Sequence, residues 1–576
     1  MAGPASLSEL LRDRASRRPE DVAYNFIDYE ADPTGISETL TWSQVYQRVQ
    51  VIAEELLMCG SIGDRAAIVA PQGLEYIMAF LGALHAGFIA VPLPHPQFGV
   101  HEERVHSALR DCAPSVILTT ASAAGEVAKY AAGCHDGAAA AVIEIDSLDP
   151  EAQCRLEPAR CRPSQPAYLQ YTSGSTRRPT GVMISHRNVM ANFQQWSRDL
   201  FPADREMTVV SWLPFYHDLG LMMGICQSVL TGFPAVLMSP VAFVQRPARW
   251  IRLLATNRGV FTAAPNFAFE LAARKTTDED MAGLDLSDLL IFCSGGERVQ
   301  PATLQRFTRR FAPFNLPEAV IRPTYGLAET VVYVSTRTPA QPPEVVDFDS
   351  EELSAGLAQR CRDGGTALVS YGFPSSPMVR IVDPDTRTER PAGTTGEIWV
   401  HGENVAMGYW RRAEQTEQTF RASLVDPPAG TPLGPWLRTG DLGVMSEGEL
   451  FIIGRIEDLL IVDGSNHYPD DIEATIHEIT KGRAAAVAVP NEGTEQVVAI
   501  AEIKTTNSSG EDQQEKLRSI KYEVTSAISN SHGLRLADLV FVGLGAIPTT
   551  TSGKVRRSAC AERYRRGEFE RVEVTP

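Results

Sequence analysis

The chain has 576 residues, 44% hydrophobic and 22% charged, with a formal net charge of −18. That length implies about three to four folding units. The acid excess excludes a general nucleic-acid binder, which needs a basic footprint, and no uninterrupted apolar run nears the roughly 18 residues of a membrane span. The nine cysteines, at 59, 112, 134, 154, 161, 226, 293, 361 and 560, form no CxxC pair. They point to reduced thiols in a cytoplasmic protein, not to a disulfide framework or a zinc site. The N-terminal residues lack the apolar centre of a signal peptide.

In chain order, Leu7–Arg18 and Thr41–Cys59 read as helices, with Ser43 a candidate N-cap of the second. Arg65–Ala70, Phe88–Leu93, Ser115–Thr120 and Ala141–Asp146 read as short apolar strands, with helices at Leu74–Ala86 and Val105–Asp111. Continuous apolar strands alternating with helices predict a parallel sheet covered on both faces. The strand Tyr168–Tyr171 runs into Thr172-Ser173-Gly174-Ser175-Thr176. That loop admits two readings, a phosphate cradle of backbone N–H groups and hydroxyls, or a Ser/Thr/Gly surface loop. The alternation resumes with helix His186–Trp196, strands Val209–Leu213, Pro234–Met238, Gly259–Ala263, Leu289–Cys293 and Val320–Arg322, and helices Arg246–Ala255 and Phe267–Arg274. Loops 172–181, 214–218, 294–297 and 324–329 each follow an apolar strand, so they are expected along one rim of the sheet, where open α/β folds bind ligands.

Between Pro339 and Tyr371 a Pro-, Gly- and acid-rich stretch reads as an insertion with a short helix at Ser350–Leu357. Strands Met378–Asp383, Gly396–His401, Gly443–Met445 and Leu450–Ile453 follow, the last two joined by a turn at Ser446-Glu447-Gly448. Gly454–Asp463 reads as a junction. Beyond it lies a small α+β unit: helix Asp470–Ile479, strands Ala485–Val489 and Gln496–Lys504, helix Lys516–Asn530 and strand Leu539–Val542.

No HExxH, GxSxG or strand-borne GxGxxG is present, and the loop Gly174–Gly181 lacks the lysine of a Walker A motif. The motifs that remain, taken in order, resemble the adenylate-forming enzymes: YTSGSTRRPTG at 171–181, SGGE at 294–297, YGLAE at 325–329, RTGDLG at 438–443, GRIEDLL at 454–460 and PTTTSGKVRR at 548–557. Within that superfamily, SWLPFYHDLGL, GEIWVHGENVAMGYW and NHYPDDIEATI, with the insertion at about 345–371, resemble the long-chain fatty acyl-AMP ligases.

The resemblance implies an α/β fold: a large N-terminal domain of layered, mostly parallel α/β sheets with a small β subdomain (1–456), a hinge, and a small mobile α+β C-terminal domain (457–576). It implies an enzyme that forms an acyl-adenylate from a fatty acid and ATP. The acyl group then passes to the phosphopantetheine thiol of an acyl carrier protein or polyketide synthase. An acyl-CoA synthetase and a non-catalytic acyl-nucleotide sensor are the alternatives. Lys554 is implied to bridge the acyl carboxylate and α-phosphate, where two anions repel and charge must be neutralised. Thr172, Ser173, Gly174, Ser175 and Thr176 would hold the β/γ-phosphates. Gly295, Gly296, Glu297, Tyr325 and Gly326 would form the adenine site. Asp441 would take the ribose hydroxyls, Arg455 the ribose or phosphate, and Glu329 a Mg²⁺ riding on pyrophosphate. His217 is a candidate for the acyl pocket and Glu457 for the hinge. Each has a structural alternative: turn residue for Asp441, surface ion pair for Arg455, helix-end carboxylate for Glu329 and core aromatic for Tyr325. The motifs depart from the superfamily pattern at Arg177, Thr180, Ala328 and Glu457. Lys554, Arg556, Arg557, Arg563, Arg565 and Arg566 form a basic run suited to an acidic carrier protein, or simply a solvated charge run.

Overall fold

Two helix starts show the side-chain chemistry that sets them. Thr41 Oγ1 accepts from Gln44 N–H while Gln44 Oε1 accepts from Thr41 N–H, so the helix is Trp42–Cys59 and its cap is Thr41, not Ser43. Ser185 and Asn188 form the same reciprocal box before His186–Leu200. The computed structural model describes residues 6–96, 102–132, 139–152, 154–172, 179–202, 205–338, 341–374, 376–462, 465–491, 494–504, 510–550 and 553–572. Two units divide the chain: Met1–Glu344 with Val369–Val379 and Trp399–Thr439, and Val345–Leu368 with Arg380–Ile398 and Gly440–Pro576.

The first unit carries two sheets. Its eight-stranded sheet runs Ser335–Thr336, Ile321–Tyr325, Leu289–Gly295, Val260–Ala264, Thr208–Ser211, Ala235–Met238, Val22–Asp28, Ile36–Thr41. Its six-stranded sheet runs Ala141–Glu144, Val116–Thr119, Arg65–Val69, Ile89–Leu93, Pro166–Thr172, Thr180–Ser185. Interior pairs are parallel, and the antiparallel partners sit at the edges. The fold class is therefore α/β with layered, mostly parallel sheets, as expected. The expectation of a single rim is corrected. Loops 214–218, 294–297 and 324–329 leave the eight-stranded sheet, whereas Thr172 ends a strand of the six-stranded one. Amide side chains tie the two together. Gln170 donates to Tyr216 O at 2.8 Å, and Gln72 donates to Leu213 O and accepts from Phe215 N–H.

In the second unit, the strands Ala484–Asn491, Thr494–Glu502 and Asp538–Val542 form one sheet buried on both faces. Ala484, Ala486, Val497, Ala499 and Phe541 pack with Ile472, Ile476, Val524 and Ile528 of two helices. Their neighbours Ala485, Val487, Val498, Ile500 and Val540 pack with Cys560 and Phe569 on the other side. This is the two-residue period of a strand expressed as two cores. The insertion forms the strand Val345–Phe348, the helix Ser350–Ser354 and the strand Thr366–Val369. The helix is shorter than the sequence suggested, because Gly356 takes φ +90° and Leu357 bridges to Thr394. Phe348, Leu353, Ala358 and Leu368 share a core with Val444, Phe451, Ile453 and Tyr468. No helix among the described residues is long and apolar enough to cross a membrane.

Candidate active site

The strands Leu289–Gly295 and Ile321–Tyr325 are parallel neighbours, with Gly295 opposite Thr324. Beyond them the backbone crosses itself closely. A Cβ on Gly326 would lie 1.8 Å from the carbonyl oxygen of Val332, so no larger residue fits there. Gly296 takes φ +81° and has nothing within 4 Å of its Cβ position, which leaves open space above the turn. Around these turns lies a pocket lined by Trp196, Leu219, Ala263, Cys293, Val332 and Tyr333, with Asp218, Gly295, Gly296, Thr324 and Gly326. Trp196 and Tyr333 stack at 6.0 Å, and Tyr333 donates to Asp199 at 2.8 Å. Burial pushes the Cys293 thiol up to about 11, so it lines the pocket as a neutral group and not as a nucleophile.

The assigned residues around this pocket have defined partners. Tyr325 is buried and meets Tyr371 edge-on at 6.3 Å. Glu297 Oε1 accepts from Phe267 N–H at 2.6 Å, capping the helix Asn266–Lys275. Glu329 lies in a short 3-10 turn and accepts from Tyr409 Oη at 2.9 Å. His217 Nδ1 is 2.6 Å from Asp218 Oδ1, and Asp218 itself lines the pocket. Thr172 pairs with Thr180 across an antiparallel hairpin. The phosphate-loop residues Ser173, Gly174, Ser175 and Thr176, with Arg177 and Arg178, lie outside the described residues.

The second unit holds the other assigned residues. Asp441 and Arg455 face each other across the hairpin of Leu437–Ser446 and Glu449–Arg455, with Nε 3.3 Å from Oδ1. Asp441 is buried, whereas the Arg455 side chain is 47% exposed and also donates to Glu457 Oε1 at 3.3 Å. Lys554 sits on a tight turn. Its N–H donates to Thr550 Oγ1, its carbonyl accepts from Thr550 N–H, and Thr549 bridges to Val555. Gly295, Gly296, Tyr325 and Glu329 belong to the first unit, and Asp441, Arg455, Glu457 and Lys554 to the second.

Phe269, on the helix Asn266–Lys275, packs into the core among Trp250, Phe292 and Phe307. The pocket wall comes from Trp196, Cys293 and Tyr333, residues on separate elements that no local motif marks. Part of the C-terminal basic run is paired with carboxylates. Arg557 is enclosed by carboxylates, Arg566 pairs with Glu562 and Glu568, and Arg563 pairs with Glu568 and lies over Phe569.

Residues 11–410 match the family model of the AMP-binding enzymes. The chain belongs to the AMP-binding enzyme family. Residues 457–574 match a second model, the AMP domain of Disco-interacting protein 2-like proteins. This AMP-binding enzyme is 59% identical to the long-chain-fatty-acid–AMP ligase FadD26 of Mycobacterium marinum, over 99% of both chains. It is 57% identical to a 4-hydroxyphenylalkanoate adenylyltransferase of Mycobacterium tuberculosis, over 99% of this chain and 93% of that one. A solved fatty acyl-adenylate ligase of L. pneumophila, in complex with acyl adenylate and pyrophosphate, superposes with a TM-score of 0.75. It is 30% identical, over 98% of this chain and 96% of that one. The chain groups with the fatty acyl-AMP ligases, as its motif order implied.

Proposed function

We propose that this AMP-binding enzyme activates a long-chain fatty acid with ATP, releasing pyrophosphate, and passes the acyl group to the phosphopantetheine thiol of an acyl carrier protein or polyketide synthase carrier domain. The observation that carries the reading is the apolar pocket wrapped around the Gly295-Gly296 and Gly326 turns. It sets an apolar wall beside the backbone assigned to adenine. The 59% identity to a long-chain-fatty-acid–AMP ligase supports it. Lys554 supplies the cation between carboxylate and α-phosphate. Asp441 accepts from the ribose hydroxyls, with Arg455 beside it. The open space over Gly296 suits a flat adenine ring, Tyr325 backs that turn, and the loop from Thr172 to Thr176 takes the β/γ-phosphates. His217 orders the pocket entrance through Asp218. Glu457 serves as the hinge between residues 1–456 and 457–576, and the protein works in the cytoplasm.

Glu329 fits a Mg²⁺ of the kind carried by a nucleotide. No cluster of three metal-ligating side chains occurs among the described residues, and Mg²⁺ commonly uses one or two carboxylates plus substrate phosphates. When bound, the ion would neutralise phosphate charge. Because one relative acts by name on 4-hydroxyphenylalkanoates, the acyl class has a second reading. The test offers Mg-ATP with long-chain fatty acids or with a 4-hydroxyphenylalkanoate, and follows acyl-adenylate by mass spectrometry and pyrophosphate release. Adenylates of long-chain acids are expected. Adenylation of the aromatic acid alone would replace the substrate assignment, and no adenylate with either would refute the reaction.

A further inference from the structure

Arg557 looks in the sequence like one member of a basic run. In the structure its side chain is only 15% exposed and meets three carboxylates. Nε and Nη2 grip Glu473 in a bidentate pair at 2.7 Å each, Nη2 reaches Asp470 at 2.9 Å, and Nη1 reaches Asp458 at 2.6 Å. Glu473 and Asp470 lie on the helix Pro469–Thr480, and Glu473 also accepts from Ala486 N–H at 3.0 Å, which fixes it to the sheet. Asp458 closes the 3-10 turn that follows Arg455 and contains Glu457. Arg557 opens the helix Arg557–Arg565, and the preceding Arg556 N–H donates to Pro548 O, closing the turn that carries Lys554.

We propose that Arg557 is a positioning residue for Lys554, joining the lysine turn and the residue just past Glu457 into one rigid body. The proposal rests on the reading of Lys554 as the residue that acts at the α-phosphate. The planar guanidinium suits the task, because a single ammonium cannot form a bidentate pair and two further bonds in fixed directions. Burial pushes the carboxyls of Glu473 and Asp458 up, against the pull of Arg557. The cluster therefore holds together through this one cation, and losing it leaves carboxylates crowded at the base of the lysine turn. With Asp458 bound to Arg557, any rotation about the junction is confined to residues before Asp458. Lys554 then travels with the helix Pro469–Thr480 and not independently of it.

A double-mutant cycle on the full chain tests this. Acyl-adenylate formation is measured for the wild type, Arg557→Ala, Arg557→Lys, Lys554→Ala and Lys554→Ala/Arg557→Ala, with hydrogen–deuterium exchange read by peptide. Arg557→Ala is expected to lower kcat roughly 100-fold, the cost of a misplaced reacting group, with KM for ATP little changed. Arg557→Lys, which should remain folded, is expected to lose about tenfold, the worth of one charge-assisted hydrogen bond. In the Lys554→Ala background, removing Arg557 is expected to cost nothing further. Exchange should rise in 548–556 and stay unchanged in 496–502. A full additional loss in the double variant, or exchange rising equally through the second unit, would overturn positioning in favour of general support of the fold. Wild-type rates in both Arg557 variants would overturn it as well. Wild-type rates in Lys554→Ala would instead overturn the assignment of Lys554 itself.

Discussion

Asp441 already has a cation beside it, since Arg455 Nε stands 3.3 Å from its carboxylate. The alternatives for these residues, a turn carboxylate and a surface ion pair, therefore describe the same geometry as the ribose reading. Kinetics can separate them. Asp441→Asn preserves shape and removes the anion, so kcat/KM for ATP should fall about 10- to 100-fold if the carboxylate accepts from the ribose. Steady-state rates at varied ATP check this, and an unchanged value would leave Asp441 a structural residue. His186 gives a stability prediction. Burial pushes its imidazole down to about 4, so the folded state resists a proton that the unfolded chain takes up near pH 6.5. The stabilisation is present above pH 6.5 and is lost as pH falls toward 4, by about 3 kcal/mol in all. Thermal unfolding at pH 7.5 and 5.0 should show a larger fall for the wild type than for His186→Gln. At this scale the sequence was informative about identity and weaker about partners. Thr41 and Ser43 are both hydroxyl residues at the helix start, and only the reciprocal bonds of Gln44 single out Thr41.

Among elements, long apolar strands and amphipathic helices were legible, because burial imposes their periodicity. Polar or edge elements were not. The strand Thr180–Ser185 follows a hydroxyl-rich loop, and Val22–Asp28 with Ile36–Thr41 form a half-exposed edge hairpin. Their pairing comes from neighbours distant in sequence. The insertion was visible as a break in composition, but not its role as packed structure. Phe348 is fully buried and meets Phe451 edge-on at 5.1 Å. Phe348→Ala should therefore destabilise the second unit by about 3–5 kcal/mol. A denaturant titration followed by circular dichroism checks this. A change below about 1 kcal/mol would mark the insertion as a surface appendage.

For the whole molecule, motif order revealed the family, because each motif is local and contiguous. What it could not reveal is assembly. The motif-bearing loops come off two sheets, and strand order depends on crossovers that no local pattern encodes. The basic run showed the same limit: the carboxylates that enclose Arg557 lie 84 to 99 residues away in sequence. With Arg557, Arg563 and Arg566 of that run held in ion pairs, the acceptor has to be settled by chemistry. The direct measurement is a competition. The enzyme receives a long-chain fatty acid, Mg-ATP, and equal concentrations of CoA and a holo acyl carrier protein, and mass spectrometry reports which thiol is acylated. Acyl-carrier protein is expected to accumulate while acyl-CoA stays at the level seen without enzyme. Acyl-CoA forming at a comparable or greater rate would contradict it and make this chain an acyl-CoA synthetase.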